Sequence, residues 1–426
     1  MLVLFSKFIL ALFGALMHYP IIKNYKNFNI VYIFIGAFLF RWLLLSVWFL
    51  LMDGSGSGDV LSYEVQIKWI LDGLVPNRDF VSPYGFYFFY LLSIPYQFFD
   101  HPASIMLILH LFEFFGVMLF YFSIKKLMSI NKAKLFALLY FFNPLVILWF
   151  AFDGQDESLL IFGFGGLFFA STVIPSKFLK AFFSGFSIFV AKITALAAVV
   201  PLFLKINTKE KIIFLLIISA FLLTPLFLNS QIFGFQFERE GSFDDLTKTV
   251  YPGNIWFLVN QLFSTIDGEI RTAKNYVSAN SIIIFLSRCT LLMLSIFTTI
   301  LLFRFREKIN EVNFLALGTV LYTISYQLSS YYTSPGFMAV IVPFLIYFLL
   351  HKYELEKLPI FFFTTYFLII SFDINIYLRT NKAEYFDGNV VIFFNIYEAC
   401  IIFANIFVYV FIIKYLLDKN LNKIQN

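Results

Sequence analysis

The chain has 426 residues, of which 60% are hydrophobic and 13% are charged. Ordinary soluble domains are about 45–50% apolar and about 25% charged, so these few charges are insufficient to cover the surface of soluble domains. Phe alone accounts for 62 residues, and such an apolar surface is stable where it faces lipid. The composition therefore excludes a soluble enzyme, a disordered chain and a secreted disulfide scaffold, and it predicts an all-α polytopic membrane protein.

Long apolar runs divide the chain into candidate membrane spans. A span needs about 20 mostly apolar residues, and the runs predict about 11 to 13 transmembrane helices. They cover residues 2–22, 28–52, 103–124, 135–152, 158–173, 212–228, 281–303, 312–331, 336–350, 359–376 and 390–413, with two shorter or interrupted runs at 85–99 and 178–204. The first run contains Lys7 and faintly resembles a signal peptide. Because a second apolar run follows directly, we expect a retained or interfacial first helix.

Positive charge indicates the orientation, since short cytoplasmic loops carry an excess of Lys and Arg. The remaining loops then lie outside, at 53–84, 153–157, 229–280, 332–335 and 373–389. This alternation requires the run 178–204 to form two half-helices that meet near Lys192 and enter and leave on one side. It also requires the run 85–99 to be shallow or re-entrant.

Acidic residues mark the first external loop. The segment Val60–Leu71 alternates loosely between apolar and polar residues, which predicts an amphipathic helix on the membrane surface. Asp59 precedes it as a candidate N-cap, where backbone N–H groups favour a carboxylate. Capping alone would explain Asp59, and turn chemistry beside Asn77 would explain Asp79, so a chemical role for either needs further support.

A second acidic cluster follows Asn143-Pro144, which we expect within one helix. It reads Asp153-Gly154-Gln155-Asp156-Glu157 and forms a tight external turn between two spans. Like charges this close raise one another's pKa unless a cation or hydrogen bonds relieve them. A polar hairpin tip with helix-capping acids is the plainer interpretation.

Two cations are candidate partners for an anion. Lys192 interrupts an apolar run, and an ionisable residue at such depth is a functional hypothesis by default. Its partner would be an external carboxylate or a bound phosphate, and snorkelling to the interface is the alternative. Arg239 can bind two phosphate oxygens with its fork, or it can pair with Glu238 or Glu240 in solvent.

Other chemistries leave no signature in the sequence. The four His residues have no metal-ligand spacing, and there is no phosphate-binding loop, nucleophile elbow or H-E-x-x-H motif. The net charge of +5 comes with no run of basic residues interleaved with aromatics, so nucleic acid is not an expected partner. The absence of an internal repeat weakens an inverted-repeat transporter.

The order of these features resembles the GT-C superfamily of membrane glycosyltransferases, which use polyprenyl-phosphate sugars as donors. The layout is similar to that of the polyprenol-phosphate-mannose (dolichyl-phosphate-mannose) mannosyltransferases, including the glycosylphosphatidylinositol mannosyltransferase I type. The matching features span about residues 29–350. They are Asp59 before Gly73 and Ser82-Pro83-Tyr84, Asn143-Pro144 before Gly154-Gln155-Asp156, Lys192 before Pro201, the stretch 251–256, and Thr333-Ser334-Pro335 before Pro343.

The resemblance implies a single integral membrane domain over 1–426, a GT-C-like bundle whose external loops bear short amphipathic helices. It implies inverting transfer of a hexose, most commonly mannose, to a lipid-linked or glycan acceptor on the external or luminal face. The membrane would be a bacterial or archaeal plasma membrane, or the endoplasmic reticulum of a eukaryote. The implied partners of the chain, expected as a monomer, are the polyprenyl-phosphate sugar, the acceptor and membrane lipids.

The same resemblance assigns roles to residues. Asp59 would be the general base, and Lys192 and Arg239 would bind the donor phosphate. The implied substrate-binding residues are Asp156, Gln155, Glu157, Tyr84 and Asn254. Many relatives carry a D-x-D pair in the first loop, whereas Ser57 occupies the earlier position here. A divalent metal is therefore doubtful, although Asp53, Asp156 or Glu157 are candidate replacements, and a lipid monophosphate leaving group requires no chelated diphosphate.

Two alternatives stay open at this point. A polysaccharide polymerase that joins lipid-diphosphate-linked oligosaccharides also has many spans, but it usually relies on Arg-rich external loops. A lipid-linked sugar flippase or transporter would place ionisable residues along a path through several spans. The deeper charges here are scattered along the sequence at Arg41, Glu113, Lys192, Arg288 and Glu398.

Overall fold

The structure is a computed structural model. It describes residues 2–52, 58–82, 84–230, 255–256, 258–259, 281–330, 335–352, 357–371 and 388–417. All regular elements in these ranges are helical, and the sole β-type contact there is an isolated bridge between Pro76 and Phe80. The predicted all-α class is thus confirmed. The chain divides into two compact units, one comprising 1–236 with 339–364 and the other 237–338 with 365–426.

Eleven α-helical segments precede the second unit in the sequence. They are α1 (Leu2–Asn24), α2 (Ile30–Met52), α3 (Gly58–Leu71), α4 (Phe88–Phe98), α5 (Pro102–Leu127), α6 (Ile130–Phe141), α7 (Pro144–Val146), α8 (Glu157–Thr172), α9 (Lys177–Phe186), α10 (Leu196–Lys205) and α11 (Thr208–Phe227). Later segments are α12 (Ser281–Phe305), α13 (Glu311–Ser329), α14 (Val342–Lys352), α15 (Lys357–Ser371) and α16 (Gly388–Leu417).

Several helices are long and apolar enough to cross a membrane. Within the described ranges they number four, at Phe5–Asn27, Pro102–Leu127, Thr208–Phe227 and Ile282–Phe305, or five if one bent pair counts as a single span. Six shorter apolar helices accompany them. These helices fit an integral membrane protein, while the predicted total of about 11 to 13 spans and the GT-C arrangement stay predictions.

The helix containing Asn143-Pro144 is broken, contrary to the expectation of one continuous helix. α6 ends at Phe141, and α7 with the π-helical turn Ile147–Phe152 continues at an angle of 50°. The break has a clear cause. Asn143 caps the new helix by accepting hydrogen bonds from the backbone N–H groups of Leu145 and Val146, and Pro144 occupies its first position, where a missing N–H costs nothing.

The predicted break near Lys192 is confirmed. α9 continues as a π-helical turn, Ser187–Ala191, and Lys192 itself is extended, with φ −155° and ψ 147°. The chain then resumes through a 3₁₀ turn, Ile193–Ala195, into α10. The run 85–99 contains α4, whose 11 residues are too few to span a bilayer.

Glycine permits close packing of α5 against α8 in the first unit. A Cβ atom on Gly116 would lie 2.5 Å from the Ile161 carbonyl oxygen, and one on Gly165 would collide with the Gly116 backbone. Such contacts between small residues let helix backbones approach closely in apolar surroundings. Aromatic rings fill the adjoining space, where Phe120 contacts both Phe168 and Phe344.

The second unit joins its helices through hydroxyl groups. Ser287 on α12 donates a hydrogen bond to the Ser329 carbonyl oxygen on α13 at 2.7 Å. Tyr366 donates to Asn405 Oδ1 at 2.8 Å, which links α15 to α16. Hydrogen bonds of this kind connect helices where apolar surroundings leave little other specificity.

Candidate functional site

The site is built around the tight turn Asp153–Glu157, which the sequence singled out. Gly154 has φ +63°, a left-handed conformation that Gly adopts without strain. The backbone N–H of Asp153 donates to the Leu148 carbonyl oxygen at 2.9 Å. A Cβ atom on Gly154 would lie 3.0 Å from a methyl carbon of Val60, so the turn packs directly against α3.

Asp59 belongs to this cluster. It is the second residue of α3 and not its N-cap, which corrects the prediction from the sequence. Its carboxylate accepts a hydrogen bond from Gln155, with 2.8 Å between Gln155 Nε2 and Asp59 Oδ2. The predicted helix itself is present, but its buried residues are Val60, Tyr63, Gln66, Ile67 and Ile70, while Trp69 is exposed.

Lys192 faces the same turn from the break between α9 and α10. Its ammonium group lies 2.8 Å from Glu157 Oε1 and 3.2 Å from Asp156 Oδ2. Lys192 therefore pairs with carboxylates of the turn, which are one of the two partners predicted for it, while the external location of these carboxylates stays a prediction. Residues widely separated in the sequence therefore meet in one ionic cluster.

Tyr84 approaches Lys192 because two backbones pack closely. Gly85 lies against the Phe189 backbone without space for a Cβ atom, and Tyr87 N–H donates to the Phe189 carbonyl oxygen at 3.2 Å. The Lys192 ammonium lies 5.7 Å from the centroid of the Tyr84 ring. An ammonium over an aromatic face is attracted by the electron density of the ring.

Two residues that the sequence reasoning missed complete the hydrogen bonding. Tyr63 donates to Asp156 Oδ1 at 3.0 Å, and Trp149 Nε1 donates to Glu157 Oε2 at 3.1 Å. A signal existed for Tyr63, because it lies one helical turn after Asp59 and thus on the same face of α3. No comparable signal pointed to Trp149.

The electrostatics of the cluster favour a proton on Asp156. Burial and the negative charge of Glu157 raise the pKa of Asp156, the Lys192 ammonium opposes both, and the net result is a pKa of about 7. Burial also raises the pKa of Tyr63 and of Tyr84 well above the usual range, so both phenols stay neutral hydrogen-bond donors. Asp59, Asp156 and Glu157 together carry more negative charge than Lys192 compensates, which is the physical reason for the proton.

Exposure divides the cluster into a front and a back. Gln155, Asp156 and Glu157 are 7%, 1% and 3% exposed, respectively. Asp59 is partly exposed, as are Tyr84 and the Lys192 side chain, the last by 27%. The front residues, Asp59, Tyr84 and Lys192, are therefore accessible for direct contact with a substrate. The other three residues are buried, which favours a role in which they hold Asp59 and Lys192 in place.

The other candidate residues lie elsewhere. Asp79 accepts a hydrogen bond from the Val75 backbone N–H at 2.8 Å and pairs with Arg78, which supports turn chemistry for Asp79. Arg239 and Asn254 lie outside the described residues. Within the ranges described, no group of three or more His, Cys, Asp or Glu side chains is arranged to hold a metal ion.

Comparisons of the chain with protein-family models, with curated proteins and with solved structures found no significant match. The cluster that joins Asp59, Gln155, Asp156, Glu157 and Lys192 is the feature of the described residues that points to a chemical function.

Proposed function

We propose that the chain is a membrane glycosyltransferase that transfers a hexose, with mannose the first candidate, from a polyprenyl-phosphate sugar to a lipid-linked or glycan acceptor. The reaction would take place on the external or luminal face. The observation that supports this proposal is the hydrogen bond from Gln155 to the partly exposed Asp59 carboxylate, in the same cluster as Lys192. It combines an oriented base with a nearby cation among apolar helices.

Asp59 is suited to act as the general base. Its carboxylate would take the proton of the acceptor hydroxyl as that oxygen bonds to the anomeric carbon. The bond from the anomeric carbon to the phosphate oxygen breaks at the same time, and the lipid phosphate leaves with the electron pair, which inverts the configuration. Gln155 holds one carboxylate oxygen, so the other can face the acceptor, and such positioning is what a base requires.

Lys192 would stabilise the charge that grows on the departing phosphate. Its ammonium is held at 2.8 Å by Glu157, and its partly exposed side chain leaves room for an anion to approach. The surplus of carboxylates works against a phosphate, and a proton on Asp156 reduces that surplus. Arg239 stays the second phosphate ligand that the sequence predicts, since its guanidinium fork can bind two oxygens.

The test is transfer from a synthetic polyprenyl-phosphate mannose to a glycolipid acceptor by the purified protein in lipid nanodiscs. Wild-type protein should form a covalent product, and Asp59→Asn should lower turnover by about 10²–10⁴-fold, the usual contribution of a general base. Asp72→Asn is the matched control, because Asp72 is exposed directly after the end of α3. Wild-type turnover in Asp59→Asn would contradict the assignment of Asp59 as the general base.

A flippase or transporter is the second candidate, and its test uses the same donor. Transport of the lipid-linked sugar across empty liposomes without any covalent product would favour it. The structure weakens one argument for this candidate, because two of the deeper charges, Arg41 and Glu113, pair with each other. A paired and fully buried guanidinium offers no free charge to a passing substrate.

A further inference from the structure

A buried ion pair connects the first helix to the site. Lys7 Nζ lies 2.7 Å from Asp153 Oδ2, and the two side chains are 7% and 8% exposed. The same ammonium lies 5.7 Å from the centroid of the Phe152 ring. Lys7 thus contacts the residue at which the Asp153–Glu157 turn begins.

The helix that carries Lys7 is held firmly against this region. α1 packs against α7 and the π-helical turn Ile147–Phe152. A Cβ atom on Gly14 would lie 2.8 Å from the Phe142 carbonyl oxygen, so the backbones of α1 and the broken α6–α7 helix are in direct contact. A rigid element is a better platform for precise placement of a side chain than a loop is.

The turn has anchors of different origin at its two ends. Gln155 contacts Asp59, and Asp156 and Glu157 contact Lys192. At the other end, Asp153 accepts a hydrogen bond from Lys7. Gly154, in its left-handed conformation, lies between this contact and the contacts of residues 155–157. Any rotation of the turn about Gly154 would therefore displace the Gln155 amide that holds Asp59.

Stability alone is a poor explanation for such a pair. Removing two charges from water is costly, and buried pairs are often no more stabilising than apolar residues of similar volume. What the pair supplies is a short, charge-assisted contact that ties the start of the turn to α1.

We propose that Lys7 is a positioning residue for the site: through Asp153 it fixes the turn that orients Gln155 and hence Asp59. The effect on catalysis rests on the proposed glycosyltransferase function, whereas the effect on the turn does not. Asp59 stays the group that touches the acceptor, and Lys7 acts on it at a distance.

The experiment compares Lys7→Met with Lys23→Met, the same substitution at an exposed Lys near the other end of α1. Hydrogen–deuterium exchange should become several-fold faster in the Asp153–Glu157 turn of Lys7→Met and stay unchanged in Lys23→Met. In the transfer assay kcat should fall by about 10²-fold with little change in KM, because a misplacement of about 1 Å has this effect on turnover. Lys7→Arg should recover most of the loss.

A double variant tests the route through Asp153. Asp153→Asn should reproduce the defect, and Lys7→Met/Asp153→Asn should be no worse than either single variant. If Lys7→Met does not fold, hydrogen–deuterium exchange and kcat are measured on Asp153→Asn instead, since Asn has nearly the same shape as Asp. Unchanged exchange in the turn overturns the proposal, as does faster exchange with a normal kcat. If wild-type protein transfers no sugar, the proposed function fails, and the exchange data still decide whether Lys7 fixes the turn.

Discussion

Arg41 on α2 and Glu113 on α5 form a two-point ion pair, with Nε to Oε2 at 2.8 Å and Nη2 to Oε1 at 2.5 Å. Both side chains are 0% exposed, and the guanidinium lies 4.8 Å from the centroid of the Phe141 ring. Neither helix can slide along the other without separating these atoms. The pair therefore fixes the register of α2 against α5, close to the helices that carry the site.

Arg41→Met should destabilise the protein by about 3–5 kcal/mol, because it leaves the Glu113 carboxylate buried without its partner. The double variant Arg41→Met/Glu113→Leu should recover most of that loss, since no charge is then buried alone. Thermal unfolding in detergent, followed by the loss of helical circular dichroism, measures both effects. Lys26→Met is the control because Lys26 is exposed. A single variant as mild as this control would contradict the prediction.

Gly116→Ala should be destabilising by about 1–3 kcal/mol, the usual cost of an added methyl group in a close-packed interior. The new Cβ would lie 2.5 Å from the Ile161 carbonyl oxygen, so α5 and α8 have to separate. Gly36→Ala is the matched control, because Gly36 also lies in a helix and its added methyl group would meet no atom within 4 Å. Gly116→Ala should therefore have a clearly lower unfolding midpoint than Gly36→Ala. Equal shifts would show that α5 and α8 do not depend on this contact.

Sequence reasoning located the local features well. A charged residue inside an apolar run indicated the break at Lys192, and the polar alternation indicated α3, because both signals depend on neighbouring residues. Which distant side chains contact each other was harder to predict. Lys7 and Asp153 are 146 positions apart, and nothing in either segment specifies the other.

The same distinction applies to the broken helix at Asn143. The sequence shows Pro144, but whether a proline kinks a helix or begins a new one depends on whether a capping side chain satisfies the freed N–H groups. In the site, the front and back of the cluster follow from burial, which is a tertiary property. The acidic turn was therefore predictable as a candidate, while the roles of Gln155 and Tyr63 became visible only with the geometry.

Lys192→Met should lower turnover by about 10²–10³-fold, the range found when one preorganised group facing developing charge is removed. It should also lower stability, because the buried Glu157 carboxylate then lacks the ammonium that lies 2.8 Å away. A second substitution separates the two effects. Lys192→Met/Glu157→Gln should regain stability and stay inactive, measured by unfolding and by sugar transfer. Recovery of turnover in the double variant would restrict Lys192 to a structural role.

Asp156 should give the protein a characteristic dependence of stability on pH. Its ordinary pKa is 3.8, and burial together with Glu157 raises the pKa to about 7 against the opposing Lys192. Between these values the folded protein binds a proton that the unfolded chain releases. The free energy of unfolding therefore decreases as the pH rises from about 4 to about 7, and this contribution is constant at higher pH.

Asp156→Asn removes the titrating group and should remove this part of the slope, whatever its effect on absolute stability. Thermal unfolding of the purified protein from about pH 5 to about pH 8 measures the slope directly. Asp72→Asn should keep the wild-type slope, because Asp72 is exposed to solvent after the end of α3. If Asp156→Asn and wild-type protein lose stability in parallel over this range, Asp156 does not hold the proton, and the surplus negative charge of the cluster must be relieved in another way.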